Sequence, residues 1–349
     1  MTERAATPAA LSAALKRSAP VLEQVERTMR EAISGDHALI GTIGDHVLSS
    51  GGKRLRPLLV MLAAELCGYD GPRRVQIAAA IELLHTATLL HDDVVDLATL
   101  RRGKQAARAI WGNRRAVLVG DYFYARASSM IVEDGNVDIL SIFADTIRRM
   151  SEGELIQLER SFDPEVTEAH YYAVIDRKSA SLIAAAAEAG AILAGVTRAE
   201  RRRLAQYGRE FGLAFQLRDD ALDYSASEAE LGKSPYTDVR EGKVTLPLLL
   251  ALKRSTAAER DAMAAVLKTA ARRAAELQAE GIFEVEQVLG RGELAPVVEL
   301  IERHHGIADT NRRAREHVAR AAEAIAPFPD GPSKNALLAA ADYAVCRES

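Results

Sequence analysis

The stretch ELLHTATLLHDDVVD, Glu82 to Asp96, decides the reading of this chain. From Ile77 to Leu90 the segment is apolar nearly all round, as expected of a helix inside a bundle. It ends in D-D-x-x-D. On a helix, positions i and i+4 share a face, so Asp92 sits above Asp96, with Asp93 between them in sequence. Like charges at that spacing repel by about 0.2–0.5 kcal/mol, and the flanks are too apolar for an ordinary wet face. The arrangement is sensible if a divalent cation is shared. Mg²⁺ takes one or two carboxylates and keeps waters and substrate phosphate oxygens. A single motif reads equally as a solvated helix end. A second copy occurs in FQLRDDALD, where Asp219 sits above Asp223, with Asp220 following Asp219. If the two helices face each other, their carboxylates bracket a metal–diphosphate cluster.

Cations complete the constellation. GGKRLRP, Gly51 to Pro57, is a glycine turn followed by Lys53, Arg54 and Arg56. Arg101 and Arg102 follow the first acidic motif, and Lys178, Lys233 and Lys243 come later, the last two each preceded by glycine. Arginine forks hold a phosphate in one orientation and lysine supplies a compact point charge. Glycine beside the cations points to phosphate cradles. His85 and His91 have no Cys or His at zinc spacing, so a zinc site is not expected; His85 reads as a diphosphate donor or as a core histidine.

The rest of the chain is consistent with a helical bundle. None of the 11 prolines falls between Pro72 and Pro164 or between Pro164 and Pro235, and these stretches are rich in Ala, Leu, Glu and Arg. Strand signals are poor. The 349 residues carry 45 basic and 49 acidic side chains, a net charge of −4, which excludes a globally basic nucleic-acid binder. Two cysteines, Cys67 and Cys346, exclude a disulfide framework and fit a reducing, cytoplasmic setting. Met1 to Pro20 has no continuous apolar stretch and reads as no signal peptide. The most apolar run, Ser181 to Gly195, contains Glu188 and falls short of the ~20 residues a bilayer span needs. No long linker or repeat divides the chain. The expectation is one all-α domain over residues 1–349, with about the first 15 residues loosely ordered.

GGKRLRP, ELLHTATLLHDDVVD, LRRG, GDYFY, KSASLI, FQLRDDALD and EGKVTLPLL stand in an order and spacing that closely resemble the trans-polyprenyl diphosphate synthases. The resemblance runs from about residue 20 to the C-terminus. It implies the class I isoprenoid synthase fold, a single large helical bundle around a central cavity, and Mg²⁺-dependent condensation of isopentenyl diphosphate with an allylic diphosphate. By this resemblance Lys53, Arg56, His85 and Arg102 bind isopentenyl diphosphate, and Arg101 contacts the allylic diphosphate. Asp92 and Asp96 hold metal from one wall, with Asp93 in the same motif. Asp219 holds it from the other, with Asp220 and Asp223 in support. Lys178 and Lys233 grip the leaving diphosphate, with Lys243 near by, and the oxygens of Ser179 and Gln216 face the carbocation. One departure is Pro235-Tyr236-Thr237, where relatives usually have a glycine near Tyr236.

The resemblance further implies a homodimer, to which Gly112–Ala125 contributes, and a lipid product released towards the membrane. Ala87 and Thr88, five and four positions before Asp92, are small where short-chain relatives carry a bulky aromatic. Growth is therefore expected to continue to about C35–C50, with C40 the single best value and Phe143 a candidate floor. A shorter-chain synthase is the alternative product class. A terpene cyclase fits less well, because its second metal motif has a different pattern and it has no use for GGKRLRP. A non-catalytic partner subunit fits less well because both acidic motifs are intact.

Overall fold

The computed structural model describes residues 6–34, 37–52, 54–225, 235–280 and 287–347. In chain order the helices are α1 (Ala6–Ile33), α2 (Ala38–Leu48), α3 (Leu55–Leu66), α4 (Arg73–Val95), α5 (Ala107–Trp111), α6 (Asn113–Asp134), α7 (Val137–Leu158) and α8 (Glu168–Ile175). A π-helical segment, Asp176–Ala180, joins α8 directly to α9 (Ser181–Leu193). Then come α10 (Arg198–Asp223), α11 (Thr237–Arg240), α12 (Leu246–Arg254), α13 (Ala257–Glu280), α14 (Arg291–Arg303), α15 (Gly306–Ile325) and α16 (Pro332–Cys346). The all-α expectation is met. Among the described residues the strands are a two-residue hairpin, Leu100–Arg101 (β1) with Lys104–Gln105 (β2). Its turn residues, Arg102 and Gly103, have φ of 51° and 75°, the positive values that a tight hairpin turn requires at both positions. α1 begins within the stretch expected to be loose and buries Leu11 and Ala14.

Helix starts follow local chemistry. Thr197 and Glu200 form a capping box on α10, and the Asn136 side chain accepts from the Ile139 N–H at the start of α7. The core falls into two clusters. One gathers α1–α4, α6, α7, α9 and α16; the other gathers α8 and α12–α14. α10 serves both, giving Tyr207 and Phe211 to the first and Leu213 and Leu217 to the second, and so does α15, giving Val318 and Ile325 to the first and Ala314 to the second. Each fully buried Leu or Ile contributes about 1.5–3 kcal/mol, so sharing these two helices ties the clusters together firmly. α4 is enclosed as its sequence requires: Ile77 to Leu84, Ala87 and Leu90 are buried.

Small residues set the closest approaches. A side chain at Gly153 of α7 would put its Cβ 2.8 Å from the Lys178 backbone nitrogen and 2.9 Å from the Arg177 Cβ, so α7 reaches the π-helical segment only through glycine. Asp176 anchors that segment from outside, accepting from Arg149 at 2.7 Å and pairing with Arg209.

Candidate active site

A cavity of about 870 Å³, including its open mouth, lies between α4 and α10. Asp92 and Asp96 line it from α4, Gln216 and Asp220 from α10, Lys178 and Ser179 from the π-helical segment, and Lys243 from the loop before α12. The two acidic motifs thus meet on one space. Both lie at helix C-terminal ends, where carboxylates gain nothing from the helix dipole and another positive partner is required.

The carboxylates differ in environment. Burial pushes the Asp92 carboxyl up to about 6, against the opposing pull of Lys178. Burial also raises Asp96, but Lys243 and Lys178 outweigh it and hold that group below the usual carboxylate range. Lys243 Nζ lies 3.2 Å from Asp96 and 2.6 Å from Glu241, and Lys178 pairs with Glu154 on α7. Ammonium groups therefore stand among the acids. Lys243 follows Gly242, whose φ of 83° and whose contact with the Phe162 ring, 2.7 Å from a built Cβ, both demand glycine.

Asp93 departs from its motif. Residues adjacent on a helix point about 100° apart, and Asp93 turns from the cavity to accept from Arg101 Nε at 2.5 Å. The second motif is also divided. Asp219 is outside the cavity lining and pairs with Arg347 at 2.5 Å, while Asp220 lines the cavity with both oxygens engaged. Tyr171 Oη donates to Asp220 Oδ2 at 2.5 Å and Gln216 Nε2 donates to Oδ1 at 2.7 Å. Ser179 Oγ donates to Gln216 Oε1 at 2.7 Å. Asp223 is buried, and its Oδ2 accepts from the Asp238 N–H at 3.1 Å, holding the loop that carries Lys243.

The basic wall stands beside these acids. Arg54 is held by Glu26 at 2.9 Å, Glu82 at 3.2 Å and the Leu48 carbonyl at 2.9 Å. Arg56 is half-buried, and its enclosed Nε has no partner; burial lowers its pKa and Glu82 opposes that. Arg102 donates to the Gly51 carbonyl. Burial, then Arg56 and Arg102, push the His85 imidazole well below its ordinary pKa, so it stands neutral beside the guanidinium groups. Lys53 and Lys233 lie outside the described residues. Ala87 and Phe143 belong to the first core cluster, and Thr88 donates to the His85 carbonyl; none of the three lines this cavity.

Sequence reasoning did not single out Tyr171, Glu82, Glu154 or Arg347. Tyr171 stands seven residues before Lys178, a spacing that would put both on one face of a regular α-helix, and that was the available signal, although the π-helical segment shifts this phase in the structure. The other three meet their partners across 24 to 128 residues, and no local pattern announces such pairs. Glu154 and Lys178, for instance, are joined only by the packing of α7 on the π-helical segment.

The carboxylates supply hard oxygen donors only. Asp92 and Asp96 share a face, which suits a divalent cation that keeps waters and phosphate oxygens as its remaining ligands. The unpartnered nitrogen of Arg56 suits an anion. Paired acids across a helical cavity, with a cluster of arginines beside it, define an enzyme that works on diphosphates inside a bundle. The family model for polyprenyl synthetase matches residues 37–282, and the chain belongs to that family. It is a prenyltransferase that makes trans-polyprenyl diphosphates, and the family's mechanism is metal-dependent. The chain is similar to the octaprenyl diphosphate synthase of Escherichia coli, 42% identical over 93% of this chain and 95% of that one. It is 40% identical to heptaprenyl diphosphate synthase component 2 of Geobacillus stearothermophilus over 66% of this chain and 72% of that one. A crystal structure of a Caulobacter crescentus polyprenyl synthase, complexed with calcium and isoprenyl diphosphate, superposes with a TM-score of 0.87 at 40% identity, covering 97% and 98% of the two chains.

Proposed function

We propose that the chain condenses isopentenyl diphosphate with farnesyl diphosphate, using Mg²⁺, to a product near C40. The observation that carries the reaction is the cavity lined by Asp92 and Asp96 from one helix and by Gln216 and Asp220 from another. The product length rests on the similarity to an octaprenyl diphosphate synthase over nearly the whole chain and on small Ala87 and Thr88 before Asp92.

Asp92 and Asp96, joined by Asp219 once it turns from Arg347, would hold Mg²⁺, which when bound draws charge from the allylic diphosphate and weakens its C–O bond. Lys243 and Lys178 now pair with Asp96 and Glu154, and on their flexible four-carbon stems both line the cavity where they would meet a leaving diphosphate. Arg56, Arg102 and neutral His85 would orient the isopentenyl diphosphate, with Lys53 and Arg101 adding charge. Ser179 and Gln216 would turn oxygen dipoles towards the developing positive carbon at the cavity wall. The last proton passes to the released diphosphate, so no protein base is required. The test is incubation of the pure chain with labelled isopentenyl diphosphate, farnesyl diphosphate and Mg²⁺, followed by product sizing. A product of C20 or shorter overturns the long-chain reading, and full turnover in excess chelator overturns the metal assignment.

We also propose a homodimer. Leu118, Tyr124 and Val132 on α6 and Val137, Leu140, Leu155 and Leu158 on α7 are exposed apolar side chains on neighbouring helices. A symmetric pairing of this face would cover them. Because one relative is named as a component of a larger enzyme, light scattering of this chain alone decides the matter. A dimer at micromolar concentration is expected, and a monomer that gains activity only with a second protein overturns it.

A further inference from the structure

A carboxyl oxygen that carries no proton can only accept a hydrogen bond, so a neighbour within reach must turn a donor towards it. Asp220 is met in this way on both sides. It receives the Tyr171 hydroxyl on Oδ2 at 2.5 Å and the Gln216 amide nitrogen on Oδ1 at 2.7 Å. With its NH₂ committed to Asp220, Gln216 has its carbonyl oxygen at the other end of the amide. That oxygen takes the Ser179 hydroxyl at 2.7 Å, and Gln216 and Ser179 both line the cavity. The four groups form one directed chain: Tyr171 and Gln216 converge on Asp220, and Ser179 follows Gln216.

The direction matters because an amide is nearly symmetric in shape and opposite in polarity at its two ends. Turned over, Gln216 would offer N–H groups where it now offers oxygen. A wall that must favour positive carbon needs the oxygen. Asp220 and Tyr171 are themselves buried, at 3% and 4% exposure, and Asp220 has spent both oxygens on the protein. Tyr171 reaches it from α8, on the same continuous helix that carries Ser179.

We propose that Tyr171 and Asp220 are positioning residues that lock the Gln216 amide with its oxygen towards the reacting carbon. This rests on the prenyl-transfer reading. It replaces the sequence-based expectation that Asp220 supports the metal with a role in orienting the cation-facing dipole.

The test uses the full chain with Mg²⁺, labelled isopentenyl diphosphate and farnesyl diphosphate, following the first condensation. Tyr171→Phe removes the hydroxyl and keeps the ring. Its kcat is expected to fall about tenfold, less than the hundredfold or more lost when a direct dipole is removed, with KM for both diphosphates within twofold. Gln216→Ala is expected to lose more, and Tyr171→Phe added to Gln216→Ala should cost nothing further, because the residue it positions is gone. A second arm needs no turnover: calorimetric binding of Mn²⁺ with inorganic diphosphate should be the same for Tyr171→Phe and wild type within twofold. If Tyr171→Phe does not fold, Asp220→Asn carries the kinetic test with the same expected split. A raised KM at unchanged kcat, multiplicative losses in the double variant, or weakened Mn²⁺ binding each overturns the proposal. A wild-type chain that does not condense the two diphosphates overturns the underlying reading instead.

Discussion

Asp92 and Asp96 are one helical turn apart on an enclosed helix; Lys243 pairs directly with Asp96 at 3.2 Å, and the Lys178 charge acts on Asp92 against its burial. Removing Asp92 should therefore harm catalysis and spare the fold. Asp92→Asn is expected to lower turnover by about 10³-fold or more, since a metal's charge stabilisation is worth several kcal/mol. The metal-free variant should melt no lower than wild type, because a carboxylate that repels Asp96 has become neutral. Calorimetry beside the turnover assay checks both. Tyr236 is a second residue whose local conformation matters. Its φ of 60° lies in the left-handed region, which accounts for the expectation of glycine near this position, and its ring packs 6.2 Å from that of Tyr224. The sequence marked Tyr236 as a departure; the backbone gives the physical reason.

At the scale of elements, α10 and α15 make the most extensive helix pairing on the second acidic wall, and a buried ionic cluster lies between them. Glu210 accepts from His317 at 2.6 Å and from Arg320 at 2.9 Å, and His317 packs against the Tyr172 ring. Burial raises the Glu210 carboxyl, but His317 and Arg320 outweigh it and leave it below its ordinary value of 4.5. A depressed acid stabilises the fold fully above that ordinary value and loses the contribution as pH falls through the lowered native one. Glu210→Gln is thus expected to cost about 2 kcal/mol near neutral pH. Urea denaturation should show the gap to wild type closing as the solution is made acidic. Gly153→Ala should act on catalysis through packing: its methyl meets the Lys178 backbone, and an overpacked site costs about 1–3 kcal/mol. A tenfold or larger fall in kcat, with the protein still folded, is the outcome expected in kinetics.

For the whole molecule, the helical class and the meeting of the two acidic motifs were legible because both depend on local patterns. Apolar periodicity makes α4 a buried helix, and i, i+4 spacing puts Asp92 with Asp96. What sequence left open depends on which face turns inward once helices pack. Asp93 turns to Arg101, Asp219 to Arg347, and Asp220 to Tyr171, although a motif written as D-D-x-x-D treats its members alike. Product length is likewise a property of the whole bundle. Ala87→Phe is expected to cut the product to about C15–C20, and Phe143→Ala to lengthen it if Phe143 is the floor; each added unit favours burial by about 0.8 kcal/mol per CH₂. Chromatographic sizing reads both, and an unchanged distribution in Phe143→Ala removes only the floor assignment. On the outer face, Leu118→Asp should shift a dimer to monomer in light scattering, because a charge would then enter an apolar contact.

The π-helical segment at Asp176–Ala180 has a consequence for heredity of the fold rather than for its chemistry. A π turn holds one residue more than the α turn it replaces, so it shifts the angular phase of everything after it. Deleting one residue within it would leave a helix from Glu168 to Leu193 that is smoother and hydrogen-bonded throughout, yet turned by about 100° between its halves. Tyr171 and Ser179 could then no longer share a wall. The extra residue cannot be removed by the simplest genetic step without separating those two residues, and single-residue deletions between 172 and 178 should leave any folded members inactive.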